Sequence, residues 1–172
     1  MIDALFVTVD GGGNLPPALA LARRVVERGG TARFIGNEIQ RGRIEGAGFA
    51  FRPVDGWPGY DASAQRSTWQ GITTQAKLFA DRAFGRAAID AASARPADAV
   101  VVDTLLYGAL DEMVRAGLPV VQLVHMFSGF AMKNAKGPFG LFVRMNGVNP
   151  VRALAAPALT LVASRPEFDR PA

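Results

Sequence analysis

The 172-residue sequence has no cysteine and a single histidine, His125. Without cysteine there is neither a disulfide framework nor a thiolate metal site, and one imidazole excludes the common multi-histidine centres. No metal and no resident cofactor are expected. The chain also lacks any apolar run near the ~20 residues that a helical membrane span requires. Its longest, Ala99–Val102 and Leu118–Val124, have strand length. Met1-Ile2-Asp3 lacks the basic segment that opens a secretory leader. A soluble, cytoplasmic protein is therefore expected. Long basic runs are missing too. Lys and Arg outnumber Asp and Glu by 19 to 15, for a net charge of +4. The arginines scatter from Arg23 to Arg170, with small groups only at Arg23/Arg24/Arg28 and Arg41/Arg43. Cations this dispersed, without interleaved aromatics, describe a solvated surface rather than a footprint on nucleic acid.

What remains is an ordinary globular composition, 49% hydrophobic and 20% charged, sized for one domain over residues 1–172. The organising stretch is Asp10-Gly-Gly-Gly-Asn-Leu-Pro-Pro17. Ala4-Leu-Phe-Val-Thr-Val9 precedes it and suits a buried strand. Leu15, Ala18, Leu19, Ala22, Val25 and Val26 follow at helical spacing. A glycine-rich turn from strand to helix lets a ligand approach the backbone and aims unpaired N–H groups at it. Asn14 has the chemistry of a helix N-cap, and prolines at 16 and 17 are tolerated in a first turn. Two readings stand at this point: a well-made strand-to-helix connection, or a cradle for a phosphate or sugar.

Alternation continues along the chain. Gly29-Gly30 stops the first helix, Thr31–Ile35 reads as a second strand, Glu38–Ala47 as a short helix and Ala50–Val54 as a third strand. Pro53 puts that strand at an edge, because a central strand needs the missing N–H. Asp55–Gln70 changes character and carries Trp57, Tyr60 and Trp69. One long helix is expected over Gly71–Ala94. Ala99–Val102 is the clearest strand, a β-branched run of the kind covered on both faces, and it ends on Asp103. A helix over Leu106–Ala116, a strand over Leu118–Val124 ending on His125, short helices near Phe130–Asn134 and Leu141–Met145, and a strand over Leu159–Ala163 complete the pattern.

Strands separated by helices imply right-handed βαβ units. The fold class is α/β: a Rossmann-like, doubly wound parallel sheet with helices on both faces. In the order 3-2-1-4-5-6, strands one and four meet at the switch point, where such sheets bind ligands beyond the strands' carboxyl ends. Asn14, Asp103 and His125 lie at those ends. A dinucleotide site does not fit, since Pro16 stands where the helix-packing glycine belongs and no acid closes the second strand.

Gly11-Gly-Gly-Asn-Leu-Pro-Pro-Ala-Leu-Ala-Leu-Ala22 resembles the first loop and helix of two-domain GT-B, nucleotide-sugar-dependent glycosyltransferases of natural products, lipids and small acceptors. Ala97–Asp103, Ala116–His125 and Leu159–Asp169 are similar, in order and spacing, to later parts of that family's N-terminal domain. The resemblance implies one half of a GT-B fold: the acceptor-binding half of an inverting glycosyltransferase, with a UDP- or TDP-sugar as co-substrate. The donor would be held mainly by a C-terminal domain that this chain does not include. Such a chain is expected to be inactive alone and to work with that domain or a partner subunit; it would be a fragment, a truncated product or one subunit of a split enzyme. The exposed interdomain face would favour self-association.

In the family, a first-loop histidine deprotonates the acceptor hydroxyl and an aspartate at the end of the fourth strand holds it. Asp103 matches that aspartate, whereas Asn14 stands in the histidine's place and cannot accept a proton at neutral pH. The expectation is that Asp103 serves as base, Asn14 orients the acceptor, and His125, one strand away, tunes or relays. Asp103 read as a helix cap and His125 as a structural imidazole are the plainer alternatives. Trp57, Tyr60, Trp69, Phe79, Met126, Phe127 and Phe130 fall in regions that line the family's acceptor cleft, which favours a flat, hydrophobic acceptor. Gly11, Gly12 and Gly13 would lie near the donor phosphates. Two other functions fit the residues: a non-catalytic binding or interaction domain, or an unrelated Rossmann-like domain that binds a nucleotide unaided.

Overall fold

The β-branched and aromatic runs become the centre of the sheet: in a computed structural model of the chain, β1 (Asp3–Val7) and β4 (Ala99–Asp103) lie side by side. The structure describes all residues except 12, 56, 58–66, 165–166, 168 and 170–172. After β1 come α1 (Leu15–Glu27), β2 (Thr31–Gly36), a 3-10 turn (Glu38–Gln40), α2 (Arg41–Gly46) and β3 (Ala50–Pro53). Then α3 (Thr68–Ala80) and α4 (Ala83–Ala94) precede β4. The chain continues through α5 (Tyr107–Arg115), β5 (Val120–Val124), α6 (Ser128–Lys136), α7 (Pro138–Met145), α8 (Pro150–Ala155) and β6 (Leu159–Val162). Among the described residues the sheet has six strands, all parallel, in the order β3-β2-β1-β4-β5-β6. This is the doubly wound order that the alternating pattern implies, with Pro53 on the edge strand.

Side chains alternate across the strands, so each face has its own core. Ala4, Phe6, Phe34, Val101 and Leu123 face α1 and α2, packing with Leu15, Ala18, Ala22 and Ile44. Phe6 and Phe34 stack there with ring centroids 4.8 Å apart. Leu5, Val7, Ile35, Val100, Val102 and Val120 face the opposite way, onto side chains of α3, α4, α5, α7 and α8. Parallel register sets Val7 beside Val102 and Asp103 beside Leu123. The carboxyl ends of β1, β4 and β5 therefore open on the same side of the sheet.

Three local expectations need correction. The helix expected over Gly71–Ala94 is two helices. Asp81 is extended (φ −64°, ψ 139°), and its Oδ1 accepts the Ala83 N–H at 2.6 Å, which stops α3 and starts α4. Gly108 on α5 lies against this break, where a Cβ would come within 2.2 Å of the Ala80 carbonyl oxygen. Second, α3 begins earlier than Gly71. Ser67 Oγ accepts the Gln70 N–H and Gln70 Oε1 accepts the Ser67 N–H, both at 3.3 Å, a reciprocal capping box. Third, Asn14 precedes α1 without capping it through its side chain. That side chain is used elsewhere.

Candidate functional site

Asn14 turns its amide inward, away from the helix start. Its Nδ2 donates both protons, one to the Val9 carbonyl and one to Asp103 Oδ2. Its Oδ1 accepts the Gly11 N–H at 2.9 Å. The Asn14 side chain is thus tied back to the Gly11 N–H, and the same side chain ties the end of β1 to the end of β4. Asn14 is 2% exposed and Asp103 4%. A buried carboxylate needs partners, and Asp103 has them on both oxygens. Oδ2 takes the Asn14 amide and Oδ1 takes the Leu105 N–H at 2.9 Å. That second bond is an Asx-type turn two residues on, leading into α5, whose N-cap residue is Leu106. Asp103 therefore starts the turn into the helix without being its cap.

From the end of β5, His125 reaches the same carboxylate, with Nδ1 3.5 Å from Asp103 Oδ1. The imidazole side chain is 10% exposed, while Nδ1 itself is enclosed and has no hydrogen-bond partner among the described residues. Burial raises the Asp103 carboxyl above its ordinary value of 3.8, opposed by His125, the Asn14 amide and the Leu105 N–H. Burial, and then the Asp103 charge, push the Tyr107 phenol up to about 12, so it stays protonated and neutral. The three candidate catalytic residues of the sequence reading thus form one cluster, fed by β1, β4 and β5. Its chemistry is that of a shielded carboxylate held by an amide on one oxygen and facing an imidazole on the other.

The candidate aromatics divide. Phe79 on α3 packs edge-on against Tyr107, centroids 6.2 Å apart, and against Phe139 at 5.9 Å, which connects it towards the cluster. Met126 is half-buried beside His125, and Phe127 and Phe130 are 56% and 55% exposed at the start of α6. Trp57 is packed edge-on against Phe84 of α4 at 5.3 Å, its indole N–H enclosed without a hydrogen-bond partner among the described residues. Trp69, 62% exposed, lies edge-on against Phe142 of α7 at 5.0 Å. Tyr60 and Gly12 lie outside the described residues. Gly11 and Gly13 are exposed in the loop that Asn14 closes.

Some of the polar structure has only a faint trace in the sequence. Gln122, 3% exposed within β5, donates to Thr104 Oγ1 at 2.7 Å and accepts from Thr160 Oγ1 at 3.3 Å, linking β4, β5 and β6. The signal was a lone amide inside Val-Val-Gln-Leu-Val. A cavity of about 250 Å³ lies between this part of the sheet and helices α6 and α8. Thr8, Asn37 and Gln40 make a second buried network beyond β1 and β2, in which Gln40 Oε1 accepts from Thr8 Oγ1 at 3.1 Å and from the Asn37 N–H at 3.2 Å. Among the described residues no three His, Asp or Glu side chains are placed to hold a metal ion, and no helix is long and apolar enough to cross a membrane.

No family sequence model matches the chain, and no curated protein sequence does. Solved structures do. The calicheamicin glycosyltransferase CalG4 superposes with a TM-score of 0.70 at 21% identity, over 98% of this chain and 49% of its own. The spinosyn rhamnosyltransferase SpnG gives 0.68 at 17%, over 99% and 47%. The glycosyltransferase VinC, solved in complex with DTDP, gives 0.67 at 16%, over 99% and 51%. SpnG has also been solved with thymidine diphosphate. This chain thus spans about half the length of each, and its Rossmann-like sheet is that of one half of a GT-B glycosyltransferase.

Proposed function

We propose that the chain is the acceptor-binding half of an inverting glycosyltransferase that moves a sugar from a nucleoside diphosphate onto a hydroxyl of a small, hydrophobic acceptor. The observation that carries the reading is the meeting of Asn14, Asp103 and His125 at the carboxyl ends of adjacent strands, in a fold shared with halves of glycosyltransferases. The proton-accepting function resides in the cluster that gathers on the Asp103 carboxylate. In the reaction the acceptor oxygen loses its proton to that cluster and bonds to the anomeric carbon. The bond from that carbon to the diphosphate oxygen breaks on the opposite face, and the nucleoside diphosphate leaves with the electron pair. The UDP- or TDP-sugar is held mainly by a second domain or partner subunit, with Gly11, Gly12 and Gly13 near its phosphates. Phe79, Met126, Phe127 and Phe130 receive the acceptor's apolar body, joined by Trp57 and Tyr60 from the segment before α3 and by Trp69 from the first turn of α3. In a cytoplasmic setting, where nucleotide sugars are made, no membrane span is needed.

Asn14 does not offer the acceptor a donor group in this arrangement, because both amide protons are already given. Its role is to hold Asp103. The test is to supply a separately produced donor half, such as that of SpnG, together with a thymidine-diphosphate sugar and hydrophobic hydroxyl compounds, and to look for glycosylated product. Transfer is expected, and Asp103→Asn should reduce it at least ~10²-fold, the scale of a general-base contribution. Undiminished transfer in Asp103→Asn would remove the carboxylate from the mechanism. A non-catalytic domain would give no product, and an unrelated nucleotide-binding domain would bind thymidine diphosphate tightly without the added half.

A further inference from the structure

At the first-loop position to which the family resemblance assigns a base, this chain has an amide, and both protons of that amide are already given. The carboxylate behind it is as deeply buried as the amide, at 4% and 2% exposed. Burial keeps an acceptor hydroxyl from reaching either Asp103 oxygen, and the Asn14 and Leu105 donors already sit on them. His125 is placed differently. Its Nδ1 is enclosed and has no hydrogen-bond partner among the described residues, yet the side chain keeps 10% of its exposure, which lies on atoms other than Nδ1. An enclosed polar nitrogen without a partner calls for one. The group facing it is Asp103 Oδ1 at 3.5 Å, a few tenths of an ångström beyond ordinary hydrogen-bond length. Catalytic contacts of this kind commonly tighten when substrate binds. If the Nδ1 proton points at the carboxylate, one tautomer satisfies the buried nitrogen and leaves the Nε2 lone pair free.

We propose that His125, held by Asp103 as the Nδ1–H tautomer, is the base of this site and takes the acceptor proton at Nε2. In this scheme the base stands at the end of β5 and not in the first loop, and the aspartate that serves it is the last residue of β4. Asn14 remains as the clamp that fixes the other carboxylate oxygen. The proton passes from the acceptor oxygen to Nε2 as that oxygen bonds to the anomeric carbon and the diphosphate departs. The imidazolium so formed faces the Asp103 carboxylate and later releases its proton to solvent. The substrate in this scheme rests on the glycosyl-transfer reading; the His125–Asp103 pairing does not.

Because His125 is the only histidine in the sequence, long-range proton–nitrogen spectra of the chain alone report its tautomer without ambiguity. The neutral ring should carry its proton on Nδ1, and Asp103→Asn should shift the population towards Nε2–H. A wild-type ring found mainly as Nε2–H overturns the pairing, and that observation needs no variant. In the reconstituted transfer assay, His125→Gln should lose at least ~10²-fold with an aliphatic alcohol as acceptor. The loss should be much smaller with an acidic phenol that ionises unaided. Equal losses on both acceptors would mean that His125 only supports the structure, and overturn its role as base. Transfer that survives His125→Gln on the alcohol overturns the assignment while leaving the glycosyl-transfer reading intact. An Nδ1–H tautomer in a protein with no transfer overturns the substrate instead.

Discussion

Replacing Asn14 by alanine isolates the interaction on which the cluster depends. The amide makes three hydrogen bonds: from the Gly11 N–H, to the Val9 carbonyl, and to Asp103 Oδ2. Gly11 is exposed, so its N–H regains water in the variant. Val9 is 2% exposed and Asp103 4%, so their two acceptors are left buried. An orphaned buried acceptor costs about 1–3 kcal/mol, which puts the total for two at about 2–6 kcal/mol near neutral pH. The cost should depend on pH, with a definite sign. The folded Asp103 carboxyl already titrates above 3.8, and the amide is one of the groups opposing that rise. Below 3.8 the carboxyl is protonated folded and unfolded alike, and this contribution vanishes. As pH rises from there, the folded state alone retains the proton and stability falls, until the folded carboxyl ionises. Removing the amide raises the folded value further and extends the window upward. Urea unfolding at about pH 5 and about pH 7 should therefore show a larger loss for Asn14→Ala at the higher pH. A loss below about 0.5 kcal/mol at neutral pH, or one that grows on acidification, would refute the reasoning.

Other perturbations test the frame around the site. Gly108→Ala places a Cβ within 2.2 Å of the Ala80 carbonyl oxygen and 2.4 Å of that of Asp81. Both are backbone atoms, so α5 must shift; about 3 kcal/mol should be lost in urea unfolding. Phe34→Ala opens a cavity between Phe6 and Phe49 on the α1 face and should cost about 3–5 kcal/mol by the same measurement. Phe127→Ser combined with Phe130→Ser removes two side chains that are more than half exposed. Each change should alter stability by less than about 0.5 kcal/mol in urea unfolding.

The sheet was legible because its signals are local and redundant. The β-branched run at Ala99–Val102, the glycine stops and Pro53 each specify one feature, and together they fit the doubly wound order that the sheet adopts. The split between α3 and α4 was not legible, since helical spacing continues through Asp81 and Arg82. What breaks it is an Asx bond to Ala83 and the close approach of Gly108, a tertiary contact. The Ser67–Gln70 capping box was readable from spacing, and it moves the start of α3 ahead of Gly71. At the site, strand ends brought Asn14, Asp103 and His125 together on paper, but sequence could not tell which way an amide faces. An asparagine before a helix ordinarily caps it through its side-chain oxygen; here that oxygen takes the Gly11 N–H instead, while the amide protons go to the buried Val9 and Asp103 acceptors. Aromatic residues were the least legible, because Trp57 and Phe79 look alike in sequence and pack against different helices.

The measurement that bears most directly on the account is mass-spectrometric detection of sugar transfer. This chain would be combined with the donor half of SpnG, a thymidine-diphosphate sugar and a set of hydrophobic alcohols and phenols. The account predicts a glycosylated acceptor that forms only with both halves present and is lost in Asp103→Asn. Tight binding of thymidine diphosphate by this chain alone, with no glycosylated product from any acceptor, would contradict it.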